Sequence, residues 1–203
     1  EMIVLEPIAK YPLHMLRCFM RLNAARLSIP RFVRLFKAGL RHMRALDDLE
    51  VEVKRRRPRE LKRGATDAAY AEAVALLNQA RTLEEMERAA EAGMEIMRSV
   101  PCDWERPVLR VGMAGEIYVL LEPASNFDIE KMLGELGVEV HRPMTLSDWL
   151  GENAVTEVDG TSPKRAAAPY LGEMIGGHGQ ETVGHAVLFG QQGFDGFVQL
   201  APF

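Results

Sequence analysis

The chain has 203 residues and a formal net charge of −4 at pH 7, and 47% of its residues are hydrophobic against 27% charged. This is the composition of a soluble globular protein with one domain or two small ones. No apolar run approaches the roughly 18 residues of a membrane span, and Met2–Leu5 is too short for the core of a signal peptide. We therefore expect a cytoplasmic protein with no membrane partner.

The charge divides the chain into two parts. Residues 1–100 are net basic and residues 101–203 are net acidic, which predicts two different structural units. The first unit is expected to be mainly helical, after a short strand at Glu1–Pro7 and a helix over Tyr11–Leu27. A stronger helix follows Pro30, and its predicted buried face consists of apolar residues three and four positions apart: Ile29, Phe32, Val33, Phe36, Leu40 and Met43.

Two further helices are expected in the first unit. Thr66 is a candidate cap for one of them. Thr82 and Glu85 match a capping box, in which each side chain satisfies a free backbone N–H, and the helix that they start is expected to run to about Ser99. The inward side chains of the helix at Thr66 are predicted to be Tyr70, Val74 and Leu77.

A basic run, KRRRPRELKR over residues 54–63, lies between these helices. Aromatic residues for base stacking are not interleaved with it, and Pro58 breaks it in two. We interpret it as a solvated helix end and loop rather than as a nucleic-acid or anion patch. No nucleic acid is therefore expected as a partner.

After Pro101 the pattern changes to alternating strand and helix. Val108–Gly115 reads as a buried strand, and residues 116–125 as a loop. Ile129 begins a helical pattern, with Asn126 among its capping candidates, and Gly137 ends it before a second strand at residues 138–140. Strand, helix and strand within about 30 residues predict a βαβ unit with a parallel sheet.

Residues 176–203 predict a helix that leads into a strand. A glycine-rich start precedes an amphipathic run, Gly193 closes that run as a cap, and an apolar strand follows at Gly196–Ala201. The strand reaches the end of the sequence, and the first residue is Glu1 rather than methionine. We therefore expect an excised piece of a longer protein.

Open parallel sheets bind ligands beyond the carboxyl ends of their strands. Glu116 and Tyr118 follow such an end and could bind a ligand, or could only cap and pack the loop. His178, Glu181 and His185 share a helix side, but two turns separate the histidines, too far for one metal ion. His178 with the free backbone N–H groups of its neighbours, Gly177 and Gly179 among them, is instead predicted to bind an anion.

Three phrases of the chain resemble a known family. They are GEIYVLLEPASNFDIE, GVEVHRPMTLSDWL and YLGEMIGGHGQETVGHAVLFGQQGFDGFVQLAPF. These phrases are similar to those of the 2-hydroxyacyl-CoA dehydratase activase-related proteins, which resemble the iron–sulfur D-component of 2-hydroxyglutaryl-CoA dehydratase. The likeness is close over residues 108–203 and looser in the helical part.

The resemblance implies a Rossmann-like α/β lobe over residues 101–203, preceded by the largely helical segment 1–100. It also implies a 4Fe–4S cluster in the full-length protein, held by cysteines before Glu1 and after Phe203. Cys18 and Cys102 match none of the family's cysteine motifs, so no cluster is expected in this chain itself. The cleft facing the cluster or substrate would be lined by Glu116, Tyr118, Asn126, Gly177, His178, Gly179 and Glu181.

The implied function is that of an iron–sulfur redox component or accessory protein of 2-hydroxyacyl-CoA dehydratase-type systems in anaerobic bacteria. Its expected partners are a dehydratase or redox subunit, with acyl-CoA as a further ligand. The alternative is a non-catalytic lobe that binds a partner subunit. An ATP-dependent activase is a poor third hypothesis, because the chain has no phosphate-binding loop.

Overall fold

The computed structural model of the chain describes residues 28–147, 161–173 and 178–202. The helical segment consists of α1 (Ile29–Arg56), a 3-10 turn (Arg57–Arg59), α2 (Ala65–Gln79) and α3 (Leu83–Ser99). The α/β part then runs through β1 (Leu109–Gly115), α4 (Ile117–Leu121), α5 (Ile129–Glu135), β2 (Val138–His141), α6 (Thr161–Ala167), α7 (Gly179–Gln191) and β3 (Gly196–Leu200). The predictions for Glu1–Pro7, Tyr11–Leu27 and Gly177 lie outside the described residues.

Helix α1 starts and stops where its prolines predict. Pro30 occupies the first turn, where a missing N–H costs no helical hydrogen bond, and Pro58 lies just beyond the last residue, Arg56. The predicted buried face is wrong in its first turns, because Ile29 and Val33 are 59% and 43% exposed. The first buried residue of the helix is Ala45, more than three turns after Val33, where α1 meets the other helices.

The helical segment has its own apolar core. The buried side chains that form it come from α1, α2, α3 and the residue after α3: Ala45, Leu49, Val53, Ala69, Ala73, Leu77, Met86, Met97 and Val100. Small residues let α2 and α3 approach closely, since a Cβ added at Gly93 would lie only 3.1 Å from the Cβ of Ala73. The predicted inward position of Leu77 is confirmed, with no exposure at all.

The two predicted helix caps have different outcomes. The capping box of Thr82 and Glu85 is present at the start of α3, which ends at Ser99 as expected. Thr66 is not a cap, because α2 begins one residue earlier and Gly64 (φ +85°) precedes it. Glu60 performs the capping instead, since its carboxylate accepts hydrogen bonds from the backbone N–H groups of Gly64 (2.6 Å) and Thr66 (2.8 Å).

The sheet has three parallel strands in the order β2-β1-β3. The predicted βαβ unit is confirmed: α5 connects β1 to β2, and Gly137 (φ +86°) makes the turn between α5 and β2. The predicted helix, cap and strand of residues 176–203 are also confirmed within the described residues, with Gly193 (φ +72°) between α7 and β3. The fold is therefore α/β with a parallel sheet, preceded by a helical segment.

Helices cover both faces of the central strand. A Cβ added at Gly112 would overlap the Phe189 ring of α7. The next residue, Met113, is fully buried and clusters with Ile129 and Leu133 of α5. Because successive strand residues point to opposite faces, α7 and α5 pack on opposite sides of β1.

The first part of the basic run is partly buried, so its interpretation as a solvated face is wrong there, whereas Leu61, Lys62 and Arg63 are exposed as expected. Lys54 and Arg56 are only 8% and 7% exposed. The reason is that this run lies where the helical segment meets the α/β part, opposite carboxylates of α5 and β2. We call the ion pairs that cross this boundary the ionic seam: Arg59–Glu139 (2.5 Å), Arg63–Glu135 (2.5 Å), Asp67–Lys131 (2.8 Å) and Glu50–Arg142 (2.7 Å).

Candidate functional site at the carboxyl edge of the sheet

The carboxyl ends of β1 and β3 lie side by side. In the order β2-β1-β3 the chain passes from β1 to β2 on one side and then returns past β1 to β3 on the other, and ligands of doubly wound sheets bind at such a switch point. Gly115 ends β1, and a Cβ there would overlap the carbonyl oxygen of Leu200 at the end of β3. The Glu116 N–H then donates to the same carbonyl (3.0 Å). The glycine is therefore required for this close approach.

Glu116 is the N-cap of a short helix, where the sequence analysis expected a loop. Its carboxylate accepts a hydrogen bond from the Val119 N–H (3.0 Å), and this bond starts α4. Hydrogen bonds from the N–H groups of Val119 and Tyr118, with a further contribution from His178, lower the pKa of Glu116. Glu116 is therefore an ionised cap that lies close enough to His178 for an electrostatic interaction.

Tyr118 and Asn126 have different environments in the structure. The Tyr118 side chain is 65% exposed. The Asn126 amide donates to the Val119 carbonyl (2.8 Å), and its oxygen accepts from the Ile129 N–H (3.4 Å). Asn126 thus ties α4 to the start of α5, which is a structural role.

The start of α7 contributes the remaining predicted residues. His178 precedes α7, and its backbone carbonyl accepts hydrogen bonds from both the N–H (2.9 Å) and the hydroxyl (2.8 Å) of Thr182. Gly179 is the first helical residue, and Glu181 pairs with Lys164 of α6 (3.1 Å). The Glu181 carboxylate is therefore already neutralised by a neighbouring helix.

The structure brings His178, Glu181 and His185 to one small cavity of about 20 Å³ beside Gly115. A volume of this size holds about one water molecule. Burial lowers the pKa of His185, against a smaller opposite effect of Glu181, so the imidazole stays neutral at pH 7. The described part of this edge has the predicted polar groups, but it has no space for a substrate.

The described residues do not fit a metal cluster. Among them no group of three or more His, Cys, Asp and Glu side chains could hold a metal ion. Cys102 pairs by a backbone bridge with Glu60, its thiol lies 3.8 Å from the Arg56 carbonyl, and burial raises its pKa. Cys102 is thus a protonated thiol within the helical segment, whereas a cluster ligand must be a thiolate. Cys18 lies outside the described residues.

A second and larger cavity was missed by the sequence analysis. It has a volume of about 210 Å³ and lies between the helical segment and the carboxyl ends of β1 and β2. We call it the interlayer cavity, and the polar side chains that line it include Glu50, Lys54, Tyr70, Glu130 and Arg142. The available signal for this cavity was Lys54, a lysine within the buried stretch of α1. Because it belongs to the basic run, the sequence did not indicate that it is buried.

Comparison of the chain with protein-family models, curated proteins and solved structures gives no match. No helix within residues 28–147, 161–173 and 178–202 is long and apolar enough to cross a membrane.

Proposed function

We propose that the chain is an α/β lobe of an iron–sulfur redox component, or of an accessory protein, that acts with 2-hydroxyacyl-CoA dehydratase-type systems. The observation that carries this proposal is the switch point of the sheet, where Glu116, His178 and the carboxyl end of β3 lie together. The resemblance of residues 108–203 to the activase-related proteins supplies the chemistry. The expected partner is a dehydratase or redox subunit, with acyl-CoA as a further ligand.

Within this proposal the chain supports a 4Fe–4S cluster held by residues outside it. Cys102 and the histidines of the described residues do not form a ligand set, so this lobe would supply the wall of the cleft. Glu116 holds the turn after β1 through its cap, and Thr182 fixes the backbone at His178. These contacts hold the backbone of the turn after β1 and of the start of α7 at the edge.

The test is anaerobic reconstitution, with iron and sulfide, of the protein that the whole gene encodes. The expected result is about four irons per protein and a visible absorption band, while residues 1–203 alone bind no iron. His178→Ala is expected to change the spectrum or the reduction potential of the reconstituted protein without loss of helical signal. A colourless, iron-free full-length protein would reject the proposal.

A second candidate is a non-catalytic lobe that binds a partner subunit. The observation that favours it is an exposed apolar pair: Met132 lies in α5, Leu136 follows the last residue of that helix one turn later, and they are 56% and 79% exposed. On this hypothesis Leu136→Asp weakens binding of the dehydratase subunit, whereas His178→Ala and Glu116→Ala leave turnover intact. Loss of turnover in a folded His178→Ala variant would contradict it.

A further inference from the structure

The interlayer cavity is lined by a lysine that makes no hydrogen bond with the described residues. Lys54 of α1 is 8% exposed, yet its ammonium makes no hydrogen bond or ion pair with any described residue. Burial lowers its pKa, and the charge of Glu130 acts in the opposite direction. Glu50 and Asp47 also favour the charged form, but a partly desolvated ammonium without a hydrogen-bond acceptor is still costly. An anionic group in the cavity would remove this cost.

Arg142 presents a second unsatisfied donor to the same cavity. Its side chain is only 6% exposed, and it follows the last residue of β2. One guanidinium nitrogen, Nη2, donates to Glu50 (2.7 Å), and Nη1 donates to the Leu120 carbonyl (3.4 Å). The third, Nε, is buried without a partner among the described residues. The fork of the guanidinium is therefore held firmly while one of its donors remains free.

Glu130 presents an unsatisfied acceptor. Its Oε1 is buried and accepts no hydrogen bond in the described part of the chain, although the charge of Arg142 Nη1 lies 3.4 Å away. The other cations of the cavity wall are already used, since Arg57 and Lys131 both pair with Asp67. Glu130 Oε1 therefore has an ion pair with Arg142 but no hydrogen-bond donor among the described residues.

These three groups define the chemistry of a ligand. An oxyanion would accept hydrogen bonds from Lys54 and Arg142 Nε, and a charged donor would satisfy the carboxylate of Glu130. At about 30 Å³ per water in the liquid, 210 Å³ corresponds to roughly seven waters, which is enough for a molecule of a few carbon atoms. An α-amino acid carries both groups on one carbon.

We propose that the interlayer cavity binds a small zwitterionic amino acid, whose carboxylate contacts Lys54 and Arg142 and whose ammonium contacts Glu130. Buried polar groups in native structures are almost always satisfied, so the two unpartnered atoms Glu130 Oε1 and Arg142 Nε, with the Lys54 ammonium beside the same cavity, point to an occupant. Tyr70 also lines the cavity, and burial raises the pKa of its phenol to about 12, so it remains a neutral hydroxyl there. The proposal does not depend on an iron–sulfur role of the protein.

The experiment is calorimetric titration of the chain with glycine, L-alanine and L-serine, and separately with acetate, methylammonium and inorganic phosphate. We expect at least one amino acid to bind at least tenfold more tightly than acetate, methylammonium or phosphate. Acetate or phosphate that binds as tightly as the amino acids would indicate a plain anion site and overturn the proposal. No binding of any amino acid at millimolar concentration would overturn it as well, because water alone would then fill the cavity.

Matched variants locate the site. Lys54→Met and Glu130→Gln each remove one proposed contact, and each should weaken amino-acid binding roughly tenfold or more, the effect of one charge-assisted hydrogen bond. Lys37→Met, exposed on the same helix as Lys54, and Glu135→Gln, on the same helix as Glu130, should leave affinity unchanged. Glu130→Gln preserves the shape of the side chain, so it remains informative if Lys54→Met fails to fold. Unchanged affinity in a folded Glu130→Gln variant would refute the assignment.

Discussion

The ion pair between Arg59 and Glu139 is expected to be one of the strongest contacts of the ionic seam. Arg59 Nη1 lies 2.5 Å from Glu139 Oε2, and the two side chains are only 14% and 9% exposed. Burial acts to raise the pKa of Glu139, but hydrogen bonds from His141 and Arg59 outweigh it and lower the pKa from 4.5 to about 2. We predict that Glu139→Gln destabilises the protein most at neutral pH.

The magnitude follows from linkage between protonation and folding. A pKa lowered from 4.5 to about 2 corresponds to about 3 kcal/mol at about 1.4 kcal/mol per unit. The folded pKa is the lower one, so this stability is fully present above pH 4.5 and is lost as the pH falls toward 2. The variant should therefore lose about 3 kcal/mol at pH 7 and progressively less below pH 4.5.

The assay is urea unfolding followed by circular dichroism, for the wild-type chain and the variant between pH 7 and pH 3. Glu135→Gln is the matched control, because Glu135 pairs across the same boundary with Arg63, which is 81% exposed. Exposed ion pairs contribute about 1 kcal/mol or less, so this control should be nearly neutral. A loss below about 1 kcal/mol for Glu139→Gln at pH 7, or a loss that is equal at pH 7 and pH 3, would refute the reasoning.

Three further substitutions test the packing. Gly184→Ala should cost about 1–3 kcal/mol, because the added Cβ would overlap the Pro163 backbone. Gly190→Ala in the same helix places its Cβ in open space and should stabilise the protein by about 0.5–1 kcal/mol. Equal melting temperatures of the two variants would contradict this. Thr82→Ala removes the side-chain cap of α3 and should cost about 1 kcal/mol in urea unfolding. Leu77→Ala opens a cavity at a fully buried position and should cost about 2–5 kcal/mol; a loss below 1 kcal/mol would show a helical core that repacks.

Local signals predicted much of the secondary structure. The capping box of Thr82, the turn glycines Gly137 and Gly193, and the alternation of strand and helix each act within a few residues of the element that they define. Such signals are visible in a single sequence because their partners are close in the chain. The parallel pairing of β1 with β2 followed from the pattern of strand, helix and strand within about 30 residues.

Contacts between distant residues were the part that sequence reasoning missed. Arg59 and Glu139 are 80 positions apart, and nothing near either residue identifies the other as its partner. The basic run was interpreted as solvated because no aromatic residues are interleaved with it and Pro58 breaks it in two, whereas Arg59 and Arg63 pair with carboxylates of β2 and α5. The candidate site shows the same limit, since Asn126 was expected in one cleft with His178, whereas it lines the interlayer cavity and hydrogen-bonds to the Val119 carbonyl.

The two parts of the chain are held together by charge more than by a shared apolar core. The core of the helical segment and the small cluster around Met113 have no member in common. The ionic seam lies between them, and two of its carboxylates, Asp67 and Glu139, have lowered pKa values. For Asp67, hydrogen bonds from Lys131 and Arg57 outweigh the opposite effect of burial. A fall in pH should therefore weaken the contacts of the ionic seam before it weakens either apolar core.

This reasoning predicts how unfolding changes with pH. Well above pH 4.5 Asp67 and Glu139 are ionised in both states, and the helical segment and the sheet should open together. As the pH falls from about 4.5 toward 2, these groups bind protons on unfolding, so the seam loses its contribution while the apolar cores keep theirs. Hydrogen exchange of amides in α2 and in β1 should then show equal protection at pH 7 and unequal protection near pH 3.5. Equal protection at both pH values would mean that apolar contacts, and not the ionic seam, couple the two parts.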